Sequence, residues 1–385
     1  MSVPGPAPIT GERREELRRR LAALGFDEVR FAAVGPAGGE ALRAWLAAGH
    51  HADMAWMART ADKRGDARLV LDEARSVIVL GVNHWPGPAA PAGRPRWAAY
   101  ALHEDYHDTL KPGLIAAGRV LEERFGLGGT DHRHYTDTGP VLERGWAARA
   151  GLGFRGKNGM LISRRHGNWL FLATILVRAE IEPDAPLRPE VPRGDGDEPA
   201  GLLCGKCTRC VDVCPTAAIP APGLVDARRC ISYQTIENRG VIPRELRAGI
   251  GDRVYGCDAC LDVCPWNRFA RTARSALLVA RHDLAGLELR GLLGLTPESF
   301  ARIFRRTPIK RVKLAGLLRT ACIVAGNSGD QALLPPLCGL ARHESPLVRA
   351  HAVWAVRRLA GAGAEALLAE ARAAEADPTV RAEYA

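Results

Sequence analysis

Eight of the ten cysteines in this 385-residue chain fall between Cys204 and Cys264, and their spacing does specific chemistry. Cys204-x2-Cys207-x2-Cys210-x3-Cys214-Pro215 is a complete bacterial ferredoxin run. Cys257-x2-Cys260-x3-Cys264-Pro265 is the same run without its first member, and Cys230, 27 residues upstream, is the spare thiol. Three thiolates on one tight loop cap three irons of a cubane, and the fourth cysteine is carried to the neighbouring cluster. The spacing predicts one 4Fe-4S cluster on Cys204, Cys207, Cys210 and Cys264. A second falls to Cys214, Cys230, Cys257 and Cys260. Structural zinc also uses paired C-x2-C knuckles, but it leaves the two C-x3-C-P endings unexplained. Cys322 and Cys338 stand apart and read as small core residues of helices.

Four other motifs have the look of catalysis and fail on context. His103-Glu-Asp-Tyr-His107 matches the H-E-x-x-H zinc helix, yet no downstream Glu or His stands out as the third ligand. Gly151-x-Gly153-x-x-Gly156 matches a dinucleotide fingerprint but follows a helical stretch, so it reads as a helix stop and turn. Gly156-Lys157 lacks the spacer and hydroxyl residue of a P-loop. Asp137-Thr-Gly139 occurs once, whereas an aspartic protease needs two carboxylates.

The elements that would position these residues are mixed. Glu12 to Leu24 reads as an amphipathic helix ended by Gly25. Strand-like runs follow at Val29–Val34, Val77–Val82 and Trp169–Val177, with helical stretches around Glu40–Ala48, Asp108–Phe125 and Val141–Ala150. A Pro-, Gly- and acid-rich stretch then separates this region from the cysteine block. The tail is helical and weakly repetitive. Ser345-Pro-Leu-Val-Arg-Ala recurs 32 residues later as Asp377-Pro-Thr-Val-Arg-Ala, and Thr307-Pro308 precedes the first copy by 38. Helices opening on a capped proline at such intervals suggest a short HEAT-like solenoid. The expected fold is multidomain α+β: an α/β domain over 1–185, a linker over 186–200, a ferredoxin-like two-cluster domain over 201–270 and HEAT-like helices over 271–385.

Composition narrows the class. With 47% hydrophobic and 25% charged residues the chain is globular. The N-terminal segment has charges where a secretory signal needs an apolar core, and Trp169–Val177 is about half of a membrane span. A cytoplasmic, reducing setting follows, in which close-set thiols are metal ligands rather than disulfides. The net charge is +10, and only six of the 53 basic residues are lysine. Arg302 to Arg319 holds seven bases and no acid, which suits a polyanionic partner.

The run Tyr135-Thr-Asp-Thr-Gly-Pro-Val-Leu-Glu-Arg144, followed by Ala150-Gly-Leu-Gly-Phe-Arg-Gly-Lys-Asn-Gly-Met-Leu-Ile162, closely resembles the epoxyqueuosine reductases. Cys230-Ile-Ser-Tyr-Gln-Thr-Ile-Glu-Asn-Arg239, Asp105-Tyr-His107, Lys63-Arg64-x-Asp66 and Pro265-Trp-Asn267 fit the same family. The resemblance implies a cobalamin-dependent enzyme with two 4Fe-4S clusters. Its activity would be reduction of epoxyqueuosine, at the wobble position of tRNA, to queuosine. By the same resemblance Asp137 is the proton donor beside the cobalt, and Arg64, Tyr100, Lys157, Asn158, Ser232 and Asp258 surround the corrinoid. Arg239 would contact tRNA, as would Arg305, Arg306 and Arg311 in the basic stretch. Donation by Asp137 at neutral pH requires a pKa above the usual value near 3.9, which burial under the corrinoid would give. Partners expected are the modified tRNA and a low-potential electron donor, with a monomeric chain and no membrane.

Some positions depart from the family. His103 stands where Gly is usual, Ala173-Thr174 replaces Gly-Glu, and Gly139 stands where Ala is common. Two other functions share some of these features. A corrinoid dehalogenase has similar cofactors but no use for a basic helical tail, and a ferredoxin-type electron carrier needs no Thr-Asp-Thr run.

Overall fold

The structure, a computed structural model, describes residues 7–35, 38–87, 94–190 and 198–385. Residues 191–197 of the stretch assigned to a linker therefore lie outside the described residues. Helix α1 spans Gly11–Ala22, with Glu12 in its first turn and Arg19 and Arg20 in its last, both favourable to the helix dipole. Leu17 and Leu21, four residues apart, bury one face of it. Strand β1 (Glu28–Ala33) and helix α2 (Gly39–Ala47) follow. Strand β2, Ser76–Asn83, is buried along its whole length.

Helix α3 (Lys111–Phe125) leads to strand β3 (His132–Tyr135), and helix α4 (Glu143–Arg149) precedes strand β4 (Leu170–Val177). The sheet order is β1-β2-β4-β3, antiparallel throughout. Ile78 faces Ile175 and Tyr135 faces Thr174 in this register. Alternation sends Ile78, Leu80 and Val82 into one core with α1 and α3, and Val77 and Val79 into another with Trp146 and Ala147 of α4. Covering both faces explains why β2 reads as an unbroken apolar run.

Between the cysteine runs lie helix α5 (Ile231–Ile236), helix α6 (Arg244–Ile250) and the short strand Arg253–Tyr255. That strand pairs in parallel with Arg96–Trp97, joining the cysteine region to the α/β region. In the tail, Pro346 opens helix α7 (Pro346–Ala360), and Pro308 and Pro378 each open a short helix, as the repeat suggests. Asp377 caps its helix through the amides of Thr379 and Val380. One continuous core joins Ile231, Ile242, Leu246, Ile250 and Val254 to the tail's Leu318, Ile323, Val353 and Val356. The buried Cys322 lies in that core, and Cys338 packs against it.

Charged groups are buried at the same junction. Arg247 of α6, 1% exposed, makes paired bonds of 2.9 and 2.7 Å to Glu383, itself 5% exposed. Arg319 is fully buried and donates to the carbonyls of Gln234, Asn238 and Gly240 at 2.7, 2.8 and 2.9 Å. These bonds cap the C-terminal end of α5 and fasten the loop that carries Arg239.

Candidate active site

Strand β3 ends at Tyr135, and two residues later Asp137 adopts a left-handed φ of 54°. Asp tolerates this region better than most side chains, but it still needs local support. The Asp137 amide donates to Glu143 Oε1 at 3.2 Å, and its carboxylate accepts from the Tyr106 hydroxyl at 2.7 Å. The side chain is 71% exposed, with His107 Nε2 at 3.9 Å. Its carboxylate is thus aimed and open to solvent rather than buried by the protein itself.

The surroundings are built from distant parts of the chain. Asp105 caps the short helix Tyr106–Thr109, and its Oδ1 lies 2.7 Å from His107 Nδ1. Lys310 from the tail holds the other Asp105 oxygen at 3.0 Å. Burial opposes the Asp105 charge, but His107 and Lys310 outweigh it and leave its pKa lowered to about 2. Tyr106 stacks on Phe171 of β4 at 4.3 Å, and Tyr100 meets both rings edge-on. Tyr100 donates to the Tyr255 hydroxyl at 3.2 Å, two residues before Cys257. Burial and the neighbouring Asp137 charge push the Glu143 carboxyl up to about 7. Arg64, Arg144 and Arg311 each lie within electrostatic reach of Asp137, while Arg144 donates to the Gly159 carbonyl and Arg311 pairs with Glu237.

The other expected site residues divide between this pocket and the cysteine loops. Arg64 bonds Thr60 Oγ1 and the Val141 carbonyl at 3.0 and 3.3 Å, beside Asp137. Lys157 donates to the carbonyls of Gly205 and Cys207 at 2.8 and 3.1 Å, so it braces the first cysteine loop. Asn158, Asn168 and Asn267 form a ladder of 3.0 and 3.1 Å bonds that ties the α/β region to the second loop. Asp258 is pushed up to about 7 by burial and accepts from the Ala99 amide at 2.6 Å. Ser232 lies in the first turn of α5, two residues after the cap position Cys230.

The eight thiols gather in one region. Cys204 and Cys210 neighbour Cys264 and Cys207, Cys230 neighbours Cys214, Cys257 neighbours Cys230, and Cys260 neighbours both Cys230 and Cys210. Thiolates are the donors that iron–sulfur cubanes take.

The H-E-x-x-H match has no helix to present it. His103 is buried against the His84 carbonyl at 2.9 Å, while His107 faces Asp105 and Asp137. Among the expected tRNA arginines, Arg306 pairs with Glu104 at 2.8 Å and Arg311 with Glu237 at 2.9 Å. Arg239 and Arg305 are exposed and in no ion pair among the described residues. Glu143 and Tyr106 have roles that sequence reasoning did not assign. Both lie inside quoted motifs, and their proximity to Asp137 was the missing information.

The sequence is 37% identical over 350 residues to the epoxyqueuosine reductase of Vibrio cholerae, covering 89% of this chain and 90% of that protein. This chain belongs to the epoxyqueuosine reductase family. The Pseudomonas aeruginosa reductase is 38% identical over 366 residues, covering 93% of this chain and 96% of the relative. Residues 64–138 match the family model described as "Epoxyqueuosine reductase QueG, DUF1730". Residues 203–267 match a 4Fe-4S double cluster binding domain and 316–385 match HEAT repeats. A crystal structure of epoxyqueuosine reductase with an epoxyqueuosine-modified tRNA-Tyr stem loop superposes with a TM-score of 0.85 at 26% identity, covering 96% of each chain. The Bacillus subtilis reductase, solved with its catalytic aspartate loop swung out of the active site, gives 0.81 at 27% identity over 96% of each chain. Membership makes the chain an oxidoreductase, with a double-cluster domain where the cysteine spacing placed it. Among the described residues no helix is long and apolar enough to cross a membrane.

Proposed function

We propose that this chain reduces epoxyqueuosine in tRNA to queuosine, using cobalamin and electrons relayed by two 4Fe-4S clusters. The observation that carries the reading is the exposed Asp137, its carboxylate held by the Tyr106 hydroxyl and its backbone amide by Glu143, on the wall that reaches Cys257 through Tyr100 and Tyr255. Opening an epoxide to an alkene consumes two electrons and two protons and releases water. Cys204, Cys207, Cys210 and Cys264 hold one cluster; Cys214, Cys230, Cys257 and Cys260 hold the other. The partly exposed Tyr106 ring, stacked on Phe171, lies beside Asp137 with Tyr100 set edge-on to it, an aromatic wall against which a macrocycle can pack. Cobalamin bound there supplies the reducing cobalt centre, a chemistry no side chain provides.

The chain's own residues handle protons and position. Asp137 delivers a proton to the departing oxygen. Tyr106 fixes the carboxylate's direction, and Asp105 fixes the ring of His107 behind it. Arg64, Arg144 and Arg311 balance the negative charge around Asp137 and Glu143. Arg239 and Arg305, exposed near the junction with the tail, engage the tRNA backbone.

Asp137→Asn keeps the shape and removes the proton. Multiple-turnover assays on epoxyqueuosine-containing tRNA are expected to show loss of product, with cluster content, corrinoid absorbance and tRNA affinity unchanged. Full activity in this variant would sink the assignment.

A further inference from the structure

The two sets of thiols are unequally sheltered. Cys230, Cys257 and Cys260 adjoin the buried Ile231, Ala259 and Leu261. Cys204, Cys207 and Cys210 alternate instead with the exposed Gly205, Lys206, Thr208 and Arg209. Cys264 lines a shallow surface depression with Arg209, Val213 and Arg268. Val213 and the neighbouring Phe269, 37% and 38% exposed, leave two large apolar side chains in solvent.

The charge around this depression is uneven. Arg209 and Arg268 line it, Lys206 and Arg271 lie three residues from them along the chain, and all four are exposed and in no ion pair among the described residues. Its acids are already engaged: Asp262 by Arg96 at 3.0 Å, and Asp212 by the Thr208 hydroxyl at 2.7 Å. A small apolar centre with a basic rim is the anatomy of a brief, electrostatically steered encounter between proteins. Phosphate backbones are better served by the cations around Asp137 and on the tail.

Building on the two-cluster reading above, we propose that this face docks an acidic, low-potential one-electron carrier protein. Each docking oxidises the carrier by one electron and reduces the cluster on Cys204, Cys207, Cys210 and Cys264 by one. That electron passes inward to the cluster on Cys214, Cys230, Cys257 and Cys260, and two dockings serve one epoxide. The first set is the entry because Cys264 lines the depression and Cys204, Cys207 and Cys210 alternate with exposed residues. Of the second set only Cys214 has exposed neighbours on both sides. The inner set adjoins Tyr255 and Asp258, which lead to the Asp137 pocket.

The test is stopped-flow reduction of the anaerobic holoenzyme, followed as bleaching of cluster absorbance. An acidic flavodoxin hydroquinone serves as the protein donor and dithionite as the small one. Arg268→Glu combined with Arg271→Glu lies outside both cysteine runs and reverses two charges of the rim. Its second-order rate with flavodoxin is expected to fall about tenfold or more, and the wild-type rate to fall steeply with salt. The dithionite rate and tRNA affinity are expected to stay unchanged. Arg209→Glu, on the opposite side of the depression, should reproduce the loss. An unchanged flavodoxin rate in both variants overturns the proposal, and so does an equal loss of tRNA affinity, which would give the face to RNA. Purified wild-type chain without iron would instead refute the two-cluster reading, a separate result.

Discussion

Glu143 offers the sharpest test of the electrostatics around Asp137. Its carboxyl moves from an ordinary value of 4.5 to about 7, through burial first and the Asp137 charge second. A carboxyl raised in the folded state binds more protons folded than unfolded, so its contribution to stability falls as pH rises between those values. Above pH 7 the full penalty applies, roughly 3 kcal/mol at about 1.4 kcal/mol per pH unit. Glu143→Gln removes the charge while leaving an oxygen to accept from the Asp137 amide. The variant is expected to be more stable than the wild type at pH 8 by about 2–3 kcal/mol, with little gain at pH 5. For a domain of this size that is a rise of several degrees, at about 2–4 °C per kcal/mol. Anaerobic thermal melts of wild type and variant at the two pH values, in one buffer series, measure it. A gain of the same size at both pH values, or none at pH 8, would refute the argument.

Glu383→Ala strands Arg247 in the core and is expected to cost about 3–5 kcal/mol in urea unfolding. Adding Arg247→Met should restore most of that loss; no restoration would mean that packing, not charge, holds the junction. Arg305→Glu should weaken tRNA binding and flatten its salt dependence, read by titration at several ionic strengths, because Arg305 has no acid to release. Arg306→Glu should have the smaller effect, since Glu104 already engages that side chain.

What could be read from the sequence follows from how local each signal is. The strands around Val77–Val82 and Trp169–Val177 are apolar runs because both faces of the sheet are covered. The fourth strand, His132–Tyr135, sits at the sheet edge, and its His-Arg-His-Tyr sequence carries no alternation to betray it. The cysteine spacing is local and named a double-cluster domain outright. The neighbours of Asp137 are not local: Tyr106 lies 31 residues upstream. Likewise the basic stretch reads as open charge, but Glu104 and Glu237 reach Arg306 and Arg311 from distant segments. Composition changes near residue 270, whereas the core does not stop there: Ile231 to Val254 pack directly on the helical tail.

That shared core makes iron content and tail integrity a single variable. In the cluster assignment proposed above, the segment from Cys230 to Cys257 is pinned at each end by a ligand, and its middle packs on the HEAT-like helices. An oxidant that strips the clusters frees both pins, loosening the platform that presents Arg239 at the moment electron flow fails. The tail, cut away alone as an RNA-binding module, would expose the apolar surface that the cysteine region covers.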